Sequence, residues 1–275
     1  MTPLLQAQHL FKAYGGNQAV NDVSFDLHAG ELLALIGPNG AGKSTTFDLI
    51  NGQQRPDAGE VRLDGVSMVG QSPAALSRLG VSRTFQVAQT FVSMTVLENM
   101  QTALLSADGL TFSAWRAAAP YRIDAAMHWL HQVGLTALAQ RPCHALAYGD
   151  VKRLELAMCL AQQPRVLLMD EPTAGMSPPE RHALMQLTRQ LVSQQGLAVL
   201  FTEHSMDVVF EHADRILVLA RGRVIAQGDA QHIAHHPEVQ TVYFGRGSHR
   251  GHLRAETRAE THADTRADTR TTATP

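Results

Sequence analysis

Residues 32–45 read LLALIGPNGAGKST, an apolar run followed by a glycine-rich turn, a lysine and two hydroxyl residues. The run Leu32–Ile36 predicts a buried strand, and residues 43–51 predict a helix. Between them, residues 37–44 fit the pattern G-x-x-x-x-G-K-[ST]. Glycines let such a loop wrap so that successive backbone N–H groups point at phosphate oxygens, and the helix N-terminus adds its positive end. The stretch therefore predicts a phosphate-binding loop in an α/β sheet.

Two side chains of this loop carry most of its expected chemistry. Lys43 is expected to reach the β- and γ-phosphates of a nucleotide, and the Ser44 hydroxyl to bind Mg²⁺. A glycine-rich turn of no function is the alternative, which the complete pattern between a strand and a helix disfavours. The predicted ATP-binding residues of the segment are Gly37, Pro38, Asn39, Gly40, Ala41, Gly42, Lys43, Ser44 and Thr45.

A second apolar strand ends in two acids. Residues 166–171 read VLLMDE, so Asp170 and Glu171 close the run. A buried strand places its terminal carboxylate at the carboxyl edge of the sheet, where ligands bind in α/β folds. We expect Asp170 to hold Mg²⁺, directly or through water, and Glu171 to orient and deprotonate an attacking water. Two solvated acids that cap a strand are the alternative interpretation.

Strand and helix patterns alternate along the rest of the chain. They predict an α/β fold with a mostly parallel sheet core, an antiparallel β portion and an inserted all-helical subdomain at about residues 90–163. Besides the helix at residues 43–51, the helices expected outside that block cover residues 72–79 and 178–193. The further strands are expected at residues 23–27, from 61 to 63 onward, 81–86, 197–201, and in a hairpin of 215–219 with 223–227.

Composition sets limits on the class of protein. The 275 residues are 44% hydrophobic, enough for a sizeable core, and the net charge of −2 offers no basic surplus for nucleic acid. No signal peptide or apolar run of about 18 residues is visible, so we expect a soluble protein. Cys143 and Cys159 are expected to be reduced, buried thiols. Residues 248–275 balance arginines and acids in a low-complexity tail, which we expect to be disordered.

These motifs, in this order, resemble the ATP-binding cassette family, the nucleotide-hydrolysing subunits of ABC transporters. The resemblance covers about residues 4–245, and it implies an ATPase that uses ATP and Mg²⁺. In that family two cassettes pair head to tail. Each ATP lies between the phosphate loop of one cassette and a signature motif, commonly LSGGQ, of the other.

The stretch LAYGD resembles that signature. Bare glycine backbone at a helix start makes an anion site, here aimed at the γ-phosphate of the neighbouring cassette's ATP. Ala147 stands where the family has a serine hydroxyl, and Asp150 replaces a neutral glutamine. We interpret Asp150 mainly as a cap of the helix N-terminus, with Lys152 and Arg153 offsetting its charge. The predicted signature residues are Leu146, Ala147, Tyr148, Gly149 and Asp150.

The resemblance assigns further residues one by one. Gln86, at the end of VSRTFQ, resembles the glutamine that contacts Mg²⁺ or water and senses the transporter. His204, in LFTEHSMD, resembles the switch histidine that bonds the γ-phosphate, and Tyr14 the aromatic that stacks on adenine. Without the other motifs these would be a strand-end polar group, a structural histidine and a core aromatic. The D-loop residues implied are Ala174, Gly175, Met176 and Ser177.

One branch of the family is the nearest match. The stretches RTFQ, LAYGD with KRLELA, DEPTAGMSP and EVQTVYFG resemble ATPase subunits of branched-chain (hydrophobic) amino acid importers. The resemblance implies two membrane permease subunits, a second cassette, identical or a sister chain, and a periplasmic solute-binding protein. It implies a peripheral location on the cytoplasmic face of the bacterial inner membrane, with the helical block presenting a groove to a permease.

Several alternatives stay open at this point. Similar systems carry urea, short amides or aromatic acids, and cassettes of lipopolysaccharide export share the VYFG-like ending. A non-transport cassette acting in DNA repair or on the ribosome is disfavoured by the single cassette and the absence of a heptad run in the sequence. A small-molecule P-loop kinase would not need LAYGD or His204.

Overall fold

The structure, a computed structural model, describes residues 2–84, 88–110 and 121–244. The strands within these ranges are β1 (Leu5–Tyr14), β2 (Asn17–Leu27), β3 (Leu32–Ile36), β4 (Ala58–Leu63), β5 (Val66–Ser67), β6 (Val81–Thr84), β7 (Val166–Asp170), β8 (Ala198–Thr202), β9 (Arg215–Ala220) and β10 (Arg223–Gly228). The helices are α1 (Lys43–Ile50), α2 (Pro73–Leu79), α3 (Val96–Ala107), α4 (Ile123–Gln132), α5 (Tyr148–Leu160), α6 (Pro178–Gln195), α7 (Met206–His212), α8 (Ala230–His235) and α9 (Pro237–Phe244).

The larger sheet has the strand order β10-β9-β3-β8-β7-β6 and is parallel except between β9 and β10. The strand before the phosphate loop, β3, therefore lies between β9 and β8. Because neighbouring parallel strands end at the same edge, the loop at residues 37–42 emerges beside the end of β8, and β7 ends next to β8. This arrangement brings the two predicted motifs to one edge of the sheet.

Alternation along β3 divides its side chains between two cores. Leu33 and Leu35 pack into the core shared with α1 and the smaller sheet, while Leu32, Ala34 and Ile36 pack into the core shared with α6 and α7. All five side chains are buried, since the sheet is covered on both faces. A continuous apolar run was the sequence signal for this doubly covered strand.

The smaller sheet is antiparallel, in the order β2-β1-β4-β5. It covers the face of the larger sheet on which α1 also packs. It provides the expected antiparallel portion. The mixed architecture is that of the predicted fold class, which is confirmed.

The helices between β6 and β7 pack around a core of their own. It is formed mainly by α3, α4 and α5, with residues from the short turns between α4 and α5. The capping box at the start of α3 is present: the Thr95 N–H donates to Glu98 Oε2 at 2.7 Å, and the Glu98 N–H donates to Thr95 Oγ1 at 3.2 Å. Predicted residues 111–120 of this block lie outside the described residues.

The sequence interpretation and the structure differ in places. The strand expected from residue 61 begins at Ala58 and ends at Leu63, because β4 pairs with β1 along this length. Strand β1 and helices α7, α8 and α9 were not individually predicted. The end of the predicted strand at residues 85–86, the domain limit at residue 245 and the expected disordered tail lie outside the described residues.

Two further expectations concern the cysteines and the membrane. Both cysteines are free, and burial raises the pKa of both thiols, that of Cys159 to about 12. Neither is therefore a nucleophile near neutral pH. None of the described helices combines the length and apolar character that crossing a bilayer requires.

Candidate functional site

Backbone crowding explains two glycines of the phosphate loop. A Cβ on Gly37 would collide with the carbonyl oxygen of Leu219 in β9, and one on Gly42 with that of Ala19 in β2. Gly42 also has a φ of 103°, in the region that side chains disfavour. The turn between β9 and β10 adds a hydrogen bond from the Gly222 N–H to the Ala41 carbonyl at 3.0 Å. The loop is thus held between both sheets.

Lys43 lies within the loop. Its Nζ donates to the carbonyl oxygens of Gly37 at 2.7 Å and Pro38 at 3.3 Å. Burial lowers the pKa of Lys43, while the charges of Glu171 and Asp170 oppose that shift. The ammonium therefore belongs to the same electrostatic centre as the two predicted acids. Ser44, in the first turn of α1, is exposed.

The C-terminal helix α9 also reaches the phosphate loop. Tyr243 packs against the core that contains Ile36. Burial raises the pKa of the Tyr243 hydroxyl, and the backbone of Gly37 is the group that opposes this rise. Helix α9 thus places Tyr243 near the phosphate loop, a proximity that its sequence alone did not indicate.

Asp170 is held by two donors that sequence reasoning missed. Thr202 Oγ1 donates to its Oδ1 at 2.8 Å, and Arg83 Nη2 donates to its Oδ2 at 2.9 Å. Arg83 Nη1 also donates to Asp48 in α1 and to Gln53, both at 2.8 Å. One guanidinium therefore connects β6, the end of β7 and the helix after the phosphate loop. Its side chain is only 12% exposed.

The residues fit the predicted magnesium ion. A carboxylate has about four lone-pair sites, so Asp170 keeps acceptor capacity beside its two hydrogen bonds. Mg²⁺ prefers oxygen ligands and keeps several of its waters, which suits an acid already engaged by Thr202 and Arg83. Ser44 offers the second oxygen. Asp170 would accordingly act through a water of the ion.

Glu171 and His204 are in direct contact. His204 Nε2 lies 2.9 Å from Glu171 Oε1, and the Glu171 N–H donates to Thr202 Oγ1 at 3.0 Å. Glu171 has a φ of 47°, a left-handed conformation that costs about 1–3 kcal/mol in a non-glycine residue. The side chain is therefore aimed by the surrounding structure. Both ends of the pair were predicted from sequence, but their contact was not.

A buried glutamate positions the loop that carries His204. Glu203 Oε1 accepts from the Thr173 N–H at 2.9 Å and from its hydroxyl at 2.5 Å. Its Oε2 accepts from the His204 N–H at 3.0 Å. The carboxylate thus ties the segment after Glu171 to the segment after β8. In the sequence LFTEHSMD, Glu203 was visible as an acid between an apolar strand and a histidine.

The signature stretch begins α5, and two expectations about its charges are wrong. Ala147 is the N-cap and makes no side-chain cap, so Asp150 lies inside the first turn and does not cap the helix. Its carboxylate lies 3.6 Å from Arg153 and still favours the positive end of the helix. Lys152 does not offset it, because that side chain is buried and pairs with Glu155 at 3.3 Å.

Replacing Asp150 with glutamine is expected to preserve or raise ATPase activity. The change removes a negative charge from the proposed γ-phosphate site and loses only a long, partly exposed pair with Arg153, worth at most about 1 kcal/mol. Phosphate release at saturating ATP measures the effect. A collapse of activity in a normally folded variant would make Asp150 itself part of the chemistry.

The D-loop packs on the signature of the same chain. The Ser177 N–H and hydroxyl donate to Glu180 Oε2 at 2.9 and 2.6 Å, which joins the end of the predicted D-loop to the first turn of α6. A Cβ on Gly149 would lie 3.1 Å from Glu180 Oε1, and Gly175 faces the Tyr148 ring. In the described ranges, no hydrogen bond or ion pair joins the signature to the phosphate loop. Within one chain, the predicted signature and the phosphate loop therefore do not form one site.

The remaining predicted residues have different outcomes. Tyr14 is 46% exposed, which contradicts the core-packing alternative, and the Lys12 ammonium lies 5.7 Å from its ring centroid. Stacking on adenine stays a prediction for this ring. Gln86 lies outside the described residues.

Comparisons with known proteins agree with this geometry. Residues 20–174 match the family described as ABC transporter. The chain is 38% identical over 250 residues to the high-affinity branched-chain amino acid transport ATP-binding protein LivG of Salmonella typhimurium, covering 88% of this chain and 98% of LivG. It is 37% identical to the corresponding BraF of Pseudomonas aeruginosa, with the same coverage. A solved ATP-binding cassette of an ABC transporter, in its ADP conformation, superposes with a TM-score of 0.80 at 28% identity, covering 90% of this chain and 100% of that one.

Proposed function

The chain belongs to the ABC transporter family as an ATP-hydrolysing subunit, and from this premise we propose that it energises uptake of branched-chain or related hydrophobic amino acids. The full-length similarity to LivG and BraF supports this solute class. The observation that supports the chemistry is the 2.9 Å contact between Glu171 and His204 at the carboxyl edge of the sheet.

In the proposed mechanism, the phosphate loop binds the triphosphate of ATP through its backbone N–H groups and Lys43. Glu171 accepts a proton from the attacking water, and His204 orients Glu171 and bonds the γ-phosphate. Mg²⁺, held by Ser44 and, through water, by Asp170, would neutralise charge on the phosphates. Thr202 fixes both acids, because it donates to Asp170 and accepts from the Glu171 backbone.

Hydrolysis in this proposal requires a second cassette. The signature of one chain is separate from its own phosphate loop, so the anion site at Tyr148 and Gly149 would serve the ATP bound to a partner. The partner is an identical or sister chain in head-to-tail arrangement. This signature has Ala147 where the family has a serine, so it lacks that hydroxyl. The backbone N–H groups at the start of α5 would therefore make the phosphate contacts.

The proposed permease contact lies on an apolar patch before α3. Phe91, Val92 and Met94 are 49%, 64% and 36% exposed, close together in sequence at the edge of the helical block. Contiguous exposed apolar side chains mark interaction surfaces. This surface would receive a cytoplasmic segment of a permease and hold the cassette at the inner face of the membrane.

Replacing Phe91 and Val92 with aspartate is expected to release the cassette from its permeases while ATP binding persists. On docking, each new carboxylate would be left unpaired in an apolar contact. Every 1.4 kcal/mol of binding free energy lost in this way weakens association about tenfold. Retention of the variant in washed membranes measures this. The matched control is Val66→Asp, because Val66 is 52% exposed but lies in β5 of the smaller sheet, away from the apolar patch. Equal retention of all three proteins would contradict the docking site.

The whole assignment is tested by a mild-detergent pull-down of the tagged protein from native membranes, with partners identified by mass spectrometry. Two small permeases and a second cassette are the expected partners, and their binding protein can be screened against branched-chain amino acids, urea, amides and aromatic acids. Recovery of lipopolysaccharide-export components, or of ribosomal proteins, would overturn the importer assignment and leave the ATPase chemistry intact.

A further inference from the structure

Two helices outside the nucleotide site present a compact group of nitrogen and oxygen ligands. His182 lies near the start of α6, and Glu211 with His212 ends α7. Their donor atoms all lie within 4.8 Å of one another. The family motifs use none of these three side chains, so the group needs an explanation of its own.

The distances match those of a metal centre. His182 Nδ1 lies 3.2 Å from His212 Nε2 and 3.0 Å from Glu211 Oε2, and His212 Nε2 lies 3.8 Å from Glu211 Oε1. Ligands about 2.0–2.2 Å from a tetrahedral zinc ion are separated from one another by about 3.3–3.5 Å. The three observed separations bracket this value, but the two that involve Glu211 end on different carboxylate oxygens, so a rotation of the carboxylate would bring one oxygen and both imidazole nitrogens around one ion.

Hydrogen bonding alone satisfies the group poorly. If Nδ1 of His182 carries a proton, one N–H has to serve both Glu211 Oε2 at 3.0 Å and the lone pair of His212 Nε2 at 3.2 Å. If Nδ1 of His182 instead accepts a hydrogen bond from His212, the Nδ1 lone pair also faces Glu211 Oε2 at 3.0 Å, and the two acceptors repel each other. A metal ion uses the lone pairs of all three atoms at once.

The surroundings prepare both imidazoles as ligands. The other ring nitrogen of His182 lies 3.4 Å from Asp207 Oδ2, the carboxylate partner that typically fixes a metal-binding histidine in the required tautomer. The His212 side chain is only 9% exposed, so packing holds its ring in place.

We propose that His182, Glu211 and His212 bind one divalent transition-metal ion of the zinc class, with Asp207 orienting His182. Two imidazoles and a carboxylate suit zinc better than calcium or magnesium, which prefer oxygen ligands alone. Water completes the coordination, because the Glu211 side chain is 60% exposed.

The ion would clamp α6 to α7. Helix α6 follows the D-loop directly, and α7 follows the segment that carries His204. Arg181 already joins these segments, since its Nε donates to the Met176 carbonyl and its Nη1 to Ser205 Oγ, at 2.8 and 2.9 Å. A bound ion would thus stiffen the two elements that approach the ATP γ-phosphate and the partner cassette. The site is independent of the nucleotide chemistry and of the solute.

The test is a zinc titration of the full-length, metal-stripped and nucleotide-free protein against a chromophoric chelator. His182→Ala is expected to lose one tightly bound zinc ion, and Asp207→Asn to weaken that ion about 10–100-fold. His232→Ala is the matched control, because His232 forms a similar ring pair with His236 at the end of α8. Histidines outside the group are unchanged in His182→Ala and Asp207→Asn, so a loss of zinc in these variants and not in His232→Ala isolates this site. Zinc should also raise the melting temperature of the unaltered protein but not of His182→Ala.

Cobalt supplies a second readout, the coordination geometry of the bound ion, which a melting temperature does not report. The unaltered protein is expected to give the intense visible absorption of tetrahedral Co²⁺, and His182→Ala is expected to lose it. The same zinc stoichiometry and affinity in His182→Ala as in His232→Ala would overturn the proposal. So would an unaltered protein that binds no zinc at micromolar concentrations.

Discussion

Replacing Glu171 with glutamine is expected to slow ATP hydrolysis by about 10²–10⁴-fold while ATP still binds. Glutamine has nearly the same shape and can still bond His204, but its amide cannot accept the proton of the attacking water. It also has the same backbone preferences as glutamate, so the positive φ is no harder to adopt than before. The variant therefore removes the base and leaves the geometry.

Two measurements separate the steps. Steady-state phosphate release gives the rate, and binding of a fluorescent ATP analogue gives the affinity. Glu238→Gln, which neutralises an exposed glutamate on α9, is the matched control and should hydrolyse ATP normally. Undiminished hydrolysis in Glu171→Gln would refute the role of Glu171 as the base. Loss of ATP binding would instead point to a role in holding the nucleotide.

Replacing Arg83 with methionine is expected to cause the largest loss of stability. Two aspartates would keep their charges without the cation between them, and breaking such a buried pair costs about 3–5 kcal/mol. The side chains of Arg83, Asp170 and Asp48 are 12%, 18% and 28% exposed, so solvent screening favours the lower end of this range. For a chain of this size, ~3 kcal/mol lowers the melting temperature by roughly 6–12 °C.

Arg62→Met is the matched control. Arg62 pairs with Glu60, but the two side chains are 44% and 34% exposed, and exposed pairs contribute about 0–1 kcal/mol. Arg83→Lys should be intermediate, since one ammonium cannot reproduce the forked contacts of a guanidinium. If Arg83→Met melted at the same temperature as Arg62→Met, the guanidinium would not be the link between β6, β7 and α1.

The predictable part of the site lies where strand patterns end. The phosphate loop and the acids at the end of β7 were predicted to meet because parallel strands bring their carboxyl ends to one edge, whereas His204 was assigned from the family resemblance. Their grouping follows from local sequence and one rule of sheet architecture. The residue types therefore carried enough information to predict the edge and its chemistry.

The supporting contacts needed the strand order, which the sequence does not contain. Arg83 reaches Asp170 only because β6 pairs with β7, although 87 positions separate the two residues. The link from Glu203 to Thr173 likewise depends on β7 lying beside β8. For Asp150, helix propensity predicted a cap, whereas the start of α5 at Tyr148 places it within the first turn, three residues after the N-cap Ala147.

The left-handed backbone at Glu171 has an evolutionary consequence. Glycine or asparagine would relieve the local conformational cost, so selection for thermal stability alone would drive glutamate out of this position. Its presence indicates that turnover, rather than robustness, constrains the residue. Stabilising designs derived from energy scores alone will therefore tend to propose substitutions at position 171, and each would raise stability at the expense of ATP hydrolysis.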